Sequence, residues 1–321
     1  MNTIPTTSKR MRVPYTVVGG KRAGVAPRLP ASLSLVLLNR GGRPFKSSTI
    51  SDIDALGIRE VLSVEGPAAS YDIEALSAKY PFIKFLILHQ EVTLGEKINM
   101  AIAESNGRFN LVLWNDTRSQ PGVITERFLD RIIKKDLLCV VPVLQNQKME
   151  TLPSIRSPAF YRKQLRVLPS QPSTDGVPSI YPYDFCGIYQ KERFTLLGGF
   201  DYLLDNPYWQ KLDFGFRSFM WGERIACDTT FRLSYLADAP SEDATRDLSY
   251  KLFFLKNLAI RYGGDSGHIP RSRFLPYLLS SGADVISAIR EFRNVGKWVG
   301  INRYRFQYDA RSITELWESP E

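Results

Sequence analysis

Phe109-Asn110-Leu111-Val112-Leu113-Trp114-Asn115-Asp116-Thr117 reads as a buried strand that breaks into a small polar cluster carrying one carboxylate. The run has the length and aliphatic content of an interior strand. Asn115, Asp116 and Thr117 then fall at its carboxyl end, outside which open α/β sheets bind their ligands. A carboxylate at that edge can hold a divalent cation, which makes Asp116 a candidate metal ligand. The plainer alternative is a strand running into a polar turn.

Outward from this stretch the chain alternates between two periodicities. Leu33–Leu38, Glu60–Val64, Phe82–Leu88 and Leu137–Val143 have the composition of strands. Between them, Ile50, Ile53 and Leu56, then Ile73 and Leu76 with Ala69, recur at helical spacing. So do Ile98, Ala101 and Ile102, and then Val123, Ile124, Phe128, Leu129 and Ile132. Strands alternating with short helices imply βαβ units, a mostly parallel sheet and right-handed crossovers. From about 145 to 182 prolines crowd among Ser, Gln and Arg, and the expectation is a long irregular segment. Further on, Phe185–Tyr189 reads as a strand, Lys191–Leu197 as a short helix and Gly198-Gly199-Phe200-Asp201 as a turn. Leu212–Met220, Phe253–Arg261 and Val285–Phe292 read as helices. The expected organisation is a basic flexible tail over 1–31, an α/β domain over 32–235 and a mostly helical extension over 236–321.

Composition narrows the function classes. The 321-residue chain is 44% hydrophobic and carries a formal charge of +9, enough apolar mass for a large core and a bias toward anionic partners. The tail supplies Lys9, Arg10, Arg12, Lys21, Arg22 and Arg28. It reads as a solvated extension, with a membrane-surface or partner-binding arm as the lesser reading. Cys139, Cys186 and Cys227 stand too far apart for a zinc knuckle or redox pair, and a sparse odd set fits a reducing compartment. His89 and His268 are the whole histidine complement, which excludes a multi-histidine metal site. No apolar run is long enough for a transmembrane helix and no signal-peptide pattern is present, so a cytoplasmic protein is expected. Asn39-Arg40-Gly41-Gly42 lacks dinucleotide-binding glycine spacing, and there is no Walker A sequence.

Four places, in order, resemble family 2 of the GT-A glycosyltransferases. Ser34-Leu35-Val36-Leu37-Leu38-Asn39-Arg40 is similar to that family's opening strand and turn. Glu60-Val61-Leu62-Ser63-Val64-Glu65 is similar to its second strand, which ends in an acid at the nucleobase. Gly95-Glu96-Lys97-Ile98-Asn99 with Ala101-Ile102-Ala103 and Gly107 resembles the helix before the metal motif. Asn115-Asp116-Thr117 with Pro121-Gly122 resembles a variant of the D-x-D segment. Downstream, Gly198-Gly199-Phe200-Asp201 matches the G-G-F-D turn, and Asp213, Arg217 and Gly222 match later positions. The resemblance spans about residues 33–232.

It implies a nucleotide-diphosphate-sugar transferase with a GT-A sheet, inverting chemistry, and a polysaccharide or lipid-linked acceptor of the cell envelope. Asn39, Glu65, Lys97 and Asn115 would contact the nucleotide, and Asp116 would hold Mg²⁺ or Mn²⁺. Gly198, Gly199 and Asp201 would lie near the sugar or acceptor. A carboxylate such as Glu65 can accept hydrogen bonds from a base edge or ribose, and can equally be a solvated strand-end acid. Gly198-Gly199 can equally be a helix cap.

Two departures stand out. Trp114-Asn115 replaces the first acid of D-x-D. At the position of the family's catalytic base, Gln210-Lys211-Leu212-Asp213 offers Lys211. A protonated lysine cannot accept the acceptor's proton. Asp205, Asp201 and Asp213 are therefore the candidate bases, with Asp213 placed to orient Arg217 on one helix face. A catalytically degenerate protein of the same fold is the alternative, and a basic nucleic-acid-binding protein ranks last, since no binding signature accompanies the charge.

Overall fold

The structure is a computed structural model that describes residues 13–20, 33–40, 47–58, 60–67, 72–119, 122–162, 164–281 and 285–317. Most of the tail, Gly41-Gly42, Ala69 and Pro121 lie outside them. The strands are Tyr15–Gly19 (β1), Leu33–Leu38 (β2), Glu60–Glu65 (β3), Ile83–Leu88 (β4), Phe109–Trp114 (β5), Thr117–Ser119 (β6) and Cys139–Gln145 (β7). Then follow Ile155–Tyr161 (β8), Gln164–Ser170 (β9), Gly187–Gln190 (β10), Ile225–Tyr235 (β11), Arg261–Gly263 (β12) and Ser266–His268 (β13). The helices are Ser47–Ala55 (α1), Ile73–Lys79 (α2), Leu94–Glu104 (α3), Glu126–Lys135 (α4) and Lys191–Leu197 (α5). Pro207–Met220 (α6), Leu248–Phe253 (α7), Phe274–Ser281 (α8), Val285–Asn302 (α9) and Ala310–Glu315 (α10) complete the set.

Among the described residues, nine strands form one sheet in the order β1-β4-β3-β2-β5-β10-β7-β11-β6. The pairs β4-β3, β3-β2, β2-β5 and β7-β11 are parallel, and the others are antiparallel. The central strands β2 and β5 are buried at every position, which is why they read as continuous apolar runs rather than alternating ones. Each fully buried Leu, Ile or Val contributes about 1.5–3 kcal/mol to holding this layer. α3 and α4 begin at Thr93 and Thr125, whose hydroxyls accept from Glu96 N and Phe128 N.

Three expectations are corrected. Part of the tail is a strand, since Tyr15–Gly19 pairs antiparallel with β4 at the sheet edge. The proline-rich segment is not structureless. β8 and β9 form an antiparallel hairpin within it, with Ile155 and Ser157 buried and Tyr161 and Leu168 exposed. The helix expected over Phe253–Arg261 changes pitch, because Phe254–Leu258 is a π-helical turn closed by Ala259 N to Phe254 O at 2.9 Å. The wider turn points two consecutive polar residues, Lys256 and Asn257, into the core.

Candidate functional site

The carboxyl ends of β2, β3 and β5 meet at one edge of the sheet, and the segment before β10 reaches the same edge. There Arg40 is the hub. Its backbone N–H donates to Asn115 Oδ1 at 3.0 Å. Its guanidinium lies 3.9 Å from the Trp114 ring centroid, donates to both oxygens of Asp184 at 2.6 and 2.7 Å, and lies 3.5 Å from Asp116 Oδ2. Asp184 also accepts from Tyr235 OH at 2.9 Å, and its backbone carbonyl accepts from Trp114 Nε1 at 2.8 Å. Pairing of β6 with β11 sets Tyr235 opposite Thr117, which delivers that phenol to the cluster. Burial pushes the Asp184 carboxyl above its ordinary value, although Arg40 pulls it the other way.

The backbone here is held in an uncommon shape. Asp184 and Phe185 both lie in the left-handed region, with φ of 52° and 61°. For side-chain-bearing residues this costs on the order of 1–2 kcal/mol each. Surrounding bonds hold it, including Tyr189 OH to Phe185 O at 2.8 Å.

Asp116 is the less satisfied acid. Its Oδ1 is buried and has no hydrogen-bond partner among the described residues. One guanidinium against the two carboxylates of Asp116 and Asp184 leaves one net negative charge. No group of three His, Cys, Asp or Glu placed to hold a metal occurs among the described residues. An orphaned carboxylate oxygen in a cluster short of positive charge nevertheless suits a divalent cation whose remaining ligands come from a bound anion and water.

Beside this lies the β3 end. Asn39 Nδ2 donates to Glu65 at 2.9 and 3.1 Å, and Ser63 Oγ donates to Glu65 at 2.5 Å. Glu65 is 3% exposed and already engaged, so it is no solvated acid. These bonds orient the Asn39 amide and leave its Oδ1 buried without a partner. Lys97 is half-buried in the first turn of α3.

The three candidate bases separate sharply. Asp201 and Asp213 are both 0% exposed. Lys256 Nζ lies 2.5 Å from Asp201 and 3.1 Å from Asp213, while Arg217 and Asn257 donate to Asp213 at 3.0 and 2.9 Å. Two acids and two bases close a neutral network inside the protein, where no acceptor hydroxyl reaches. Burial raises the Asp201 carboxyl, partly opposed by Lys256. Burial acts on Asp213 too, but Lys256 and Arg217 outweigh it and hold that carboxyl low. Asp205 is exposed and makes no ion pair among the described residues.

Gly198 and Gly199 are similarly inward. Gly198 caps α5 at φ 96°, and a Cβ on Gly199 would lie 2.3 Å from Asn99 Oδ1. The close approach these glycines allow is therefore to α3, and Arg217 clasps the carbonyls of Leu197 and Gly199 at 2.7 Å each. Gln210 fills the position before Lys211 as a clasp, accepting from Gly95 N at 2.8 Å and donating to Asp201 O at 2.8 Å.

Lys211 is buried against Tyr181, Tyr183 and Phe185, with ring centroids 5.2–5.5 Å from Nζ, and it ion-pairs with Glu242. Glu242 also accepts from Arg156 Nε at 3.1 Å and Tyr181 OH at 2.9 Å. Burial pushes the Glu242 carboxyl up, but Lys211 and Arg156 outweigh it and hold it below its ordinary value. Asp184, Tyr235 and Glu242 carry no sequence signal, since each lies far from its partner along the chain. Arg40 carried one, its place in the turn after the first strand, though not its part as hub.

No family model matches the sequence. No curated protein matches it at a significance that would assign a family. Solved structures do match. The crystal structure of GalNAc-T7 with UDP, GalNAc and Mn²⁺ superposes with a TM-score of 0.51 at 12% identity, covering 94% of this chain. The chain spans 62% of that one. A structure of S. aureus TarS 1-349 matches at a TM-score of 0.49 and 12% identity, covering 82% of this chain and 70% of that one. The described chain is a divergent example of the GT-A fold, the architecture of its glycosyltransferase neighbours.

Proposed function

We propose that this protein is a glycosyltransferase that moves a sugar, with inversion, from a nucleotide-diphosphate donor to a polysaccharide or lipid-linked acceptor of the cell envelope, on the cytoplasmic side. The observation that carries the reading is Asp116: an orphaned carboxylate oxygen, at the strand edge of a GT-A sheet, in a cluster one positive charge short. Mg²⁺ or Mn²⁺ held by Asp116 would supply charge neutralisation to a leaving diphosphate. Arg40 is 28% exposed at the same edge and can turn a donor toward phosphate oxygens. Asn39 Oδ1 lacks a donor, and the N3–H of a uracil base supplies one. Asn39, held by Glu65, would therefore face the base, with Asn115 fixing the Arg40 turn and Lys97 available to the donor. UDP in the GalNAc-T7 structure supports a uridine nucleotide. Of the three candidate bases, exposure favours Asp205. Glu242, from the helical extension over 236–321, neutralises Lys211.

That last pair also supports a second reading. A salt-bridged lysine stands at the position where the resemblance expects the base, which suits a donor-binding protein without turnover.

Calorimetry of the purified protein with UDP and other nucleoside diphosphates, with and without Mn²⁺, tests the site. Asp116→Asn should weaken binding at least about tenfold with Mn²⁺ and little without it, one charge-assisted ligand being worth roughly that much. Equal affinities for mutant and wild type under both conditions would remove Asp116 from the site.

A further inference from the structure

We propose that the outer face of α9 docks on the surface of an anionic phospholipid bilayer. The inference is independent of the glycosyl-transfer reading.

α9 has two faces of different character. Ala288, Val295, Trp298, Val299 and Asn302 are buried against the domain. On the opposite face, Ile286, Arg290, Arg293, Lys297 and Ile301 recur at spacings of three and four, which sets them in one stripe. All five are exposed, with Ile286 at 71% and Ile301 at 69%. None of the three cations makes an ion pair among the described residues, and no acid lies on the stripe. Glu291, the acid of this helix, sits off it and accepts from Tyr277 OH. Tyr304, 72% exposed, follows in the 3-10 turn after the helix.

The pattern selects its partner by two chemistries. Three unpaired cations on a chain of formal charge +9 select an anionic surface. Two bare isoleucines about 22 Å apart, from a rise of about 1.5 Å per residue, bracket those cations. Phosphates of a nucleic acid give isoleucines nothing to bury against. A bilayer offers an acyl boundary just beneath its headgroups, which is where a helix lying in the interface plane places such side chains. The buried inner face keeps α9 on the domain, so the helix would lie flat on the lipid.

The test is co-sedimentation of the full chain with vesicles of phosphatidylcholine and phosphatidylglycerol, against phosphatidylcholine alone, with single-stranded RNA binding measured in parallel. Binding should require phosphatidylglycerol and weaken with salt. The triple variant Arg290→Gln, Arg293→Gln, Lys297→Gln should lose roughly fivefold per cation, on the order of hundredfold in all. Ile286→Ser with Ile301→Ser should weaken vesicle binding while leaving RNA binding unchanged. All five side chains are exposed, and circular dichroism checks that the variants fold as wild type. Three results overturn the proposal. The wild type could ignore anionic vesicles. Neutralising Lys9, Arg10 and Arg12 could abolish binding while the α9 triple variant binds normally. The isoleucine variant could bind vesicles as wild type does, leaving a generic polyanion surface.

Discussion

Replacing Lys256 by Met strands a charge in the interior, and the structure bounds its cost. Lys256 is 0% exposed and sits 2.5 Å from Asp201 and 3.1 Å from Asp213. Without it, Asp213 keeps Arg217 and Asn257, whereas the Asp201 carboxylate keeps, among the described residues, one bond, from Leu203 N at 2.9 Å. The variant has two ways to fold. It can leave Asp201 ionised and unpaired, which costs about 3–5 kcal/mol. It can instead protonate Asp201, which from an ordinary carboxyl value of 3.8 costs about 4 kcal/mol at pH 7, at about 1.4 kcal/mol for each pH unit. Both routes give a loss near 4 kcal/mol. They differ in pH dependence. When the folded variant holds a proton that the unfolded chain releases above 3.8, stability rises as pH falls. The deficit relative to wild type should then shrink between pH 7 and pH 5, by at most about 2.7 kcal/mol because the wild-type Asp201 carboxyl is itself raised. Urea unfolding followed by tryptophan fluorescence at several pH values measures this. Adding Asp201→Asn to Lys256→Met should restore most of the loss at pH 7, since no charge is then stranded. A deficit that is flat with pH and not restored would refute the stranded-charge account. Wild-type stability with abolished turnover in Asp201→Asn alone would return that residue to the chemistry.

Other tests follow from the site. Asp205→Asn should lower kcat by about 10² or more with donor affinity intact, the usual share of a general base; unchanged turnover removes it from the reaction. If the wild type binds donor but neither transfers nor hydrolyses it, while Lys211→Asp does transfer, the binding-protein reading stands. Glu242→Gln leaves Lys211 buried without its carboxylate and should cost about 3 kcal/mol at neutral pH. Because the folded Glu242 value lies below its ordinary 4.5, that contribution is complete above 4.5 and fades as pH falls through the folded value. Denaturation of mutant and wild type should therefore converge in acid, and a gap constant with pH would contradict the ion-pair account. Gly215→Ala should prevent stable folding, since its Cβ would lie 1.7 Å from the Ile180 carbonyl oxygen; a soluble variant with a wild-type melting temperature would show that α6 is not packed this way.

The sequence by itself determined the central strands of the sheet. Runs such as Leu33–Leu38 and Phe109–Trp114 are apolar at nearly every position because strands covered on both faces have no wet side, and local composition records that directly. The strand end carrying Asn115 and Asp116 was legible because the apolar run stops at Trp114 and three small polar residues follow it. Tertiary structure alone decided which acids serve the interior and which line the edge. Asp201, Asp205 and Asp213 look alike in sequence, yet two are sealed against Lys256 and Arg217 while Asp205 meets solvent. The partner that joins the two sealed acids, Lys256, comes from a π-helical turn far along the chain whose irregular pitch no periodic pattern announces. Asp184 and Glu242 were hidden likewise. A carboxylate's role depends on the charge and solvent around it, and those are set by residues distant in sequence that only the fold brings within a few ångströms.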